Sequence, residues 1–94
     1  MNPEDRIEFL GLTLPAPLMM PTGAELPFPW VQLVDDVLYI SGHLAQNTDG
    51  SIAGPFGEVG GEVSLEQAHA SAKQVGLTIL SNVKRELGDL GRVR

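Results

Sequence analysis

Ninety-four residues make one domain at most, and a chain this short gains from extra burial by association. With 43% hydrophobic and 19% charged residues it reads as soluble and globular, and the lack of cysteine excludes disulfides and thiolate metal sites. Its net charge of −6 disfavours nucleic acid as a partner; nine acids face one base in residues 1–62, three acids face five bases in residues 63–94.

The chain opens Asn2-Pro3-Glu4-Asp5, a capping Asn followed by proline at the first helical position and acids in the first turn. A short helix is expected, with Ile7 and Leu10 inward and Gly11 at its end. This acidic start is unlike a secretory signal. The uncharged run 9–24 is broken by Pro15, Pro17 and Pro21 and is too short for a membrane span. A cytoplasmic protein without a membrane partner is expected, and the missing cysteines fit a reducing compartment.

Residues 1–25 then form an N-terminal helix and an extended arm. From Leu12 to Pro29 the prolines disfavour helix, and the arm is expected to cross the sheet or a neighbouring subunit. Leu26-Pro27-Phe28-Pro29-Trp30 is either a packing corner or one wall of an apolar pocket.

Trp30 to Val34 is predicted as the first strand, Asp35-Asp36 as a two-residue turn, and Val37 to Ser41 as an antiparallel second strand. Leu44 to Gly61 is loop, with a strong turn at Asn47-Thr48-Asp49-Gly50. A short third strand is expected between Phe56 and Val63, where Gly and acidic residues limit its length.

Ser64-Leu65-Glu66-Gln67 is a capping box. The helix it opens should run to about Leu87 and stop at Gly88. Leu65, Ala68, Ala72, Val75, Ile79, Val83 and Leu87 recur on one face, while Lys73, Lys84 and Arg85 point outward. Arg92-Val93-Arg94 alternates like the start of a strand. The fold class is therefore α+β: an antiparallel hairpin and a short third strand covered by one long helix, with a short N-terminal helix.

Chemistry concentrates where the second strand ends, at Ser41-Gly42-His43. Gly42 lets a ligand or another backbone approach. Ser41 and His43 would share a face. A nucleophile with its base is disfavoured, because no Gly-x-Ser-x-Gly elbow is present and no Asp is placed to orient the histidine. Ser41 can simply end the strand with a hydrogen bond. His43 is either a proton relay near neutral pH or a polar residue at a loop start. His69 is flanked by Leu65 and Lys73 at helical spacing, so no metal is expected there. Gly54, Gly57, Gly60 and Gly61 do not spell a phosphate-binding loop, and no cofactor is expected.

Pro27-Phe28, a hairpin ending Tyr39-Ile40-Ser41-Gly42-His43, Asp49-Gly50, Gly61, Glu66-Gln67-Ala68, a long helix and Gly88-Asp89-Leu90-Gly91-Arg92-Val93 follow one another in that order. Over residues 26–94 this set resembles the YjgF/RidA family (L-PSP endoribonuclease-like, reactive intermediate deaminases), in its chorismate-mutase-like branch. The resemblance implies long helices on one face of a mixed sheet and a homotrimer with ligand clefts between subunits. It implies a hydrolase that converts enamine and imine intermediates, such as 2-aminoacrylate, to a 2-oxo acid and ammonia; some relatives are assigned RNA cleavage. It places substrate binding at Phe28, Ser41, Gly42 and His43, with Ser41 holding a carboxylate or a water.

Three departures qualify that reading. Phe28 stands where the family has tyrosine, and His43 where it has glutamine. The family's carboxylate-binding arginine, on a strand beyond the helix, and its later glutamate have no counterpart; Arg92 and Arg94 do not match that arginine. A truncated domain is expected, with an uncovered sheet edge, folding through association, and without turnover of 2-aminoacrylate. The alternative is a trimeric small-molecule binding or interaction module without catalysis, which Phe28 favours.

Overall fold

The computed structural model describes residues 1–94. Helix α1 spans Pro3–Phe9, strands β1 and β2 span Val31–Val34 and Val37–Ile40, and helix α2 spans Leu65–Leu87. A 3₁₀ turn, Leu90–Arg92, follows α2. The architecture is α+β, with a two-stranded antiparallel sheet in which Val31 faces Ile40 and Val34 faces Val37.

Local chemistry sets these boundaries. The Asn2 side chain accepts the Asp5 amide at 2.8 Å, and Pro3 occupies the first helical position of α1. At α2 the capping box closes in both directions: Gln67 N–H donates to Ser64 Oγ at 3.1 Å, and Ser64 N–H donates to Gln67 Oε1 at 2.9 Å. Gly88 ends α2 in the left-handed conformation at φ 82°, where a side chain would be strained. In the hairpin turn Asp35 carries a positive φ of 53°.

The core is small. Val31, Val83 and Leu90 are buried together, and Ile7, Trp30, Leu38, Ile79 and Leu87 pack around them. The carboxylate of Glu4 accepts the Leu90 amide at 2.7 Å and joins the two ends of the chain.

Several expectations need correction, among them Leu10, which is 53% exposed rather than inward. No third strand forms over residues 56–63; Val59 and Val63 make one isolated bridge. Gly57 and Gly60, at φ 138° and 92°, turn the backbone out of the extended region. Arg92-Val93-Arg94 does not start a strand, because the Asp89 side chain accepts the Gly91 amide at 2.8 Å and winds the 3₁₀ turn. The inward stripe of α2 fails at its start, with Leu65 77% exposed and Ala72 exposed as well. Four-residue strands reach about 13 Å and 23 helical residues about 34 Å, so the sheet covers only the C-terminal half of α2.

The rest of α2 is occupied by the arm. Ser81 Oγ and the Arg85 guanidinium both donate to the Pro15 carbonyl, the latter at 3.4 Å. Gln74 Nε2 donates to the Gln46 carbonyl at 2.6 Å, and Gln46 Nε2 donates to the Ala16 carbonyl at 2.8 Å. The arm thus lies on α2 and on the loop around residue 46, not across the sheet, and Arg85 is held rather than free. At Gly50, with φ 93°, a Cβ would sit 2.2 Å from the Pro17 carbonyl oxygen, so only glycine fits beneath the arm.

Candidate functional site

The candidate site is built where β2 leaves the sheet. The ladder between β1 and β2 closes with Ser41 N–H donating to the Trp30 carbonyl at 2.9 Å. Ser41 Oγ donates to the Pro29 carbonyl at 3.0 Å. Its proton therefore fastens the strand end to the proline-rich segment, whose prolines supply carbonyls but no N–H groups. The oxygen lone pairs of Ser41 stay available.

His43 bonds the main chain of Ser41 rather than its hydroxyl. Nδ1 lies 2.7 Å from the Ser41 carbonyl, which can only accept, so Nδ1 carries the proton. Nε2 then holds a lone pair; it is buried and has no partner. The imidazole stands 5.1 Å from the Trp30 ring, and Phe28 meets Trp30 edge to face at 6.0 Å. No nucleophile–base pair exists between Ser41 and His43, since the imidazole faces a carbonyl.

The structure brings Phe28, Ser41 and His43 to one region through Pro29 and Trp30. Phe28 is 47% exposed, Gly42 is exposed, and Ser41 and His43 are half-buried. Nothing lies within 4 Å of where a Cβ on Gly42 would stand, so its backbone is open to approach. None of the three principal hollows of the chain is lined by these residues. The hollow of about 590 Å³ lies between the Asp35-Asp36 turn and Arg92–Arg94. The cluster thus stands outside these three hollows in the single chain. The Trp30–His43 contact escaped the sequence reading; its signal is the cross-strand neighbourhood of residues 30 and 41.

Arg85 donates to Pro15 and Asn82, and Arg92 donates to the Leu87 carbonyl at 2.9 Å, at the negative end of α2. Neither hydrogen-bonds the cluster. Burial lowers the pKa of Arg85 from its usual value. No three His, Asp or Glu side chains converge to hold a metal ion. No helix is long and apolar enough to cross a membrane.

Comparisons with protein-family models, curated proteins and solved structures give no match for this chain.

Proposed function

We propose that this chain is a Rid-like, cytoplasmic binding module that takes a small molecule against Phe28, Ser41, Gly42 and His43, at a cleft completed by another copy, without turning it over. The observation that carries the reading is the half-built cluster: open above Gly42, faced by an aromatic ring, and outside every principal hollow of the single chain. It offers the Ser41 oxygen lone pairs and the Gly42 main chain as polar contacts. The resemblance of residues 26–94 to the YjgF/RidA family supports a chorismate-mutase-like fold, an assembly of copies, and ligands related to enamines, imines and 2-oxo acids.

Binding without turnover follows from what the cluster lacks. Hydrolysis of 2-aminoacrylate needs a fixed positive charge for the carboxylate and an oriented water, and such preorganised charge carries most of a catalytic effect. Phe28 has no hydroxyl, and neither Arg85 nor Arg92 hydrogen-bonds the cluster. The test is a melting series with pyruvate and 2-oxobutanoate beside an ammonia-release assay on 2-aminoacrylate. A raised melting temperature with no ammonia above the blank is expected. No shift with either ligand contradicts the binding reading.

One feature favours the second reading, an enamine/imine hydrolase. With Nδ1 held by the Ser41 carbonyl, Nε2 of His43 is the buried, unpartnered nitrogen that would act as the base once the cleft admits a water to it. Ammonia release above the blank, lost in His43→Gln, would establish that reading instead.

A further inference from the structure

We propose that residues 1–19 exchange between copies of this chain, so that helix α1 and the arm of one copy seat on α2 and the 46–50 loop of the next. The inference rests on the assembling half of the reading above and needs nothing from its ligand.

The seat is built to grip a main chain. Ser81 Oγ and the Arg85 guanidinium donate to the Pro15 carbonyl, and Gln46 Nε2 donates to the Ala16 carbonyl. Ala16 N–H donates to the Thr48 carbonyl at 3.0 Å, and Met19 N–H donates to the Gly50 carbonyl at 2.9 Å. None of these bonds reads a side chain of the arm. One side chain goes deep, since Pro15 is fully buried. Main-chain pairing with a pocket for a chosen side chain is how proteins hold an extended segment of another polypeptide. Helix α1 travels with the arm, because Leu12 N–H donates to the Ile7 carbonyl at 3.0 Å. It brings its own anchors, Glu4 on the Leu90 amide and Ile7 against the core of Val31, Val83 and Leu90.

Only a thin linker ties this piece to the hairpin. Met20 to Phe28 makes no hydrogen bond to the rest of the chain; its one bond, Ala24 N–H to the Pro21 carbonyl at 2.9 Å, closes a turn within the linker. All of these residues but Leu26 are exposed. Opened out, the linker spans roughly 30 Å, against 22 Å for the thinnest dimension of the molecule. Pro21 and Pro27 favour that extended form. Every copy carries the same arm and the same seat. Exchange therefore keeps every contact of the seat and gives up only the turn at Ala24, which makes it a low-cost route to assembly.

Charge favours the same contact between copies. Residues 1–19 hold three acids and one base, whereas residues 63–94 hold three acids and five bases. Glu4, Glu8 and Lys84 line one hollow of about 470 Å³ where the two segments meet. The attraction that seats a chain's own arm acts equally on the arm of a neighbour, and it opposes the general repulsion between chains of −6. Arm and seat are different surfaces, so the contact runs head to tail and closes as a ring, three copies included.

A carbodiimide joins carboxylate to amine without a spacer, so it can couple Glu4 or Glu8 to Lys84 in the unmodified chain. Copies grown in heavy and in light nitrogen are unfolded together, refolded and coupled. Exchange should make mixed heavy–light products about half of the cross-linked pairs, as random assortment of identical arms requires. Products that are all heavy or all light, from a chain that sediments as a multiple of 10.1 kDa, overturn the exchange and leave the assembling module standing. A chain that sediments at 10.1 kDa overturns both. The absence of any coupled product contradicts the seat and overturns the exchange. A second measurement pairs Gly50→Ala, whose seat is blocked at the Pro17 carbonyl, with Pro15→Glu, whose arm carries a charge into a buried position. Each alone should lose its arm quickly to a protease. Refolded together, the Gly50→Ala arm should regain protection on the seat of the Pro15→Glu chain. A mixture cut at the two separate rates overturns the proposal.

Discussion

Ser41 shows how a residue with catalytic potential is used as a fastener. Its Oγ holds the Pro29 carbonyl, and its own carbonyl holds His43. Replacing it by alanine should cost about 1 kcal/mol, read as a lower melting temperature, and should disturb the Trp30 environment next to it. Asp35 behaves oppositely. Its φ of 53° strains an L residue, so Asp35→Gly should raise stability by a few tenths to about 1 kcal/mol despite its entropic cost. A melting temperature that falls in Asp35→Gly contradicts this. Asp49 supplies the pH dependence. The Ser51 hydroxyl and amide hold its carboxyl below the usual aspartate value, the hydroxyl bond being the stronger cause. A depressed carboxyl stabilises fully above its unfolded pKa of about 3.9 and loses that contribution as pH falls through the folded value. The Ser51 amide should therefore lose protection from exchange on acidification, and Asp49→Asn should remove that pH dependence. At this scale residue types alone mark the polar triplet 41–43 as a candidate. The tautomer of His43 was not legible, because it depends on a carbonyl that only the folded backbone places.

Among the elements, both helix starts were legible because their signals are local. Asn2-Pro3 and the Ser64–Gln67 box each close within one turn. The hairpin was legible for the same reason. The third strand over 56–63 was misread because positive φ at Gly57 and Gly60 outweighs its apolar residues. The seat of the arm was illegible: Ser81 meets a backbone carbonyl 66 residues away, and no side-chain pattern marks Pro15 as an acceptor. That clasp makes a sharp prediction. Gly50→Ala drives a Cβ into the Pro17 carbonyl oxygen and adds a strained φ worth about 1–3 kcal/mol. Ser81→Ala leaves the buried acceptor with only the long bond to Arg85, at about 1–3 kcal/mol. Limited proteolysis should cut the arm between residues 12 and 24 faster in both variants while α2 stays intact. Equal cleavage rates in variant and parent contradict the clasp.

For the whole molecule, the central fact is how little of it is interior. Ten of 94 residues are buried, and a core centred on Val31, Val83 and Leu90 is thin for a domain that must offset the entropy of ordering its backbone. The charge places a condition on any assembly: copies at −6 repel, so added salt should strengthen association by screening. Small size and acidity were read directly from composition. The location of the exposed apolar surface was not, since it depends on the sheet being shorter than the helix above it.

If a second copy completes this fold, unfolding is coupled to dissociation, and stability must follow protein concentration. Thermal melting over a hundredfold dilution series tests this most directly. The midpoint should fall steadily with dilution. A midpoint that stays fixed across the series, with a single cooperative transition, would mean that one chain stands by itself, and the account built on its missing half would be wrong.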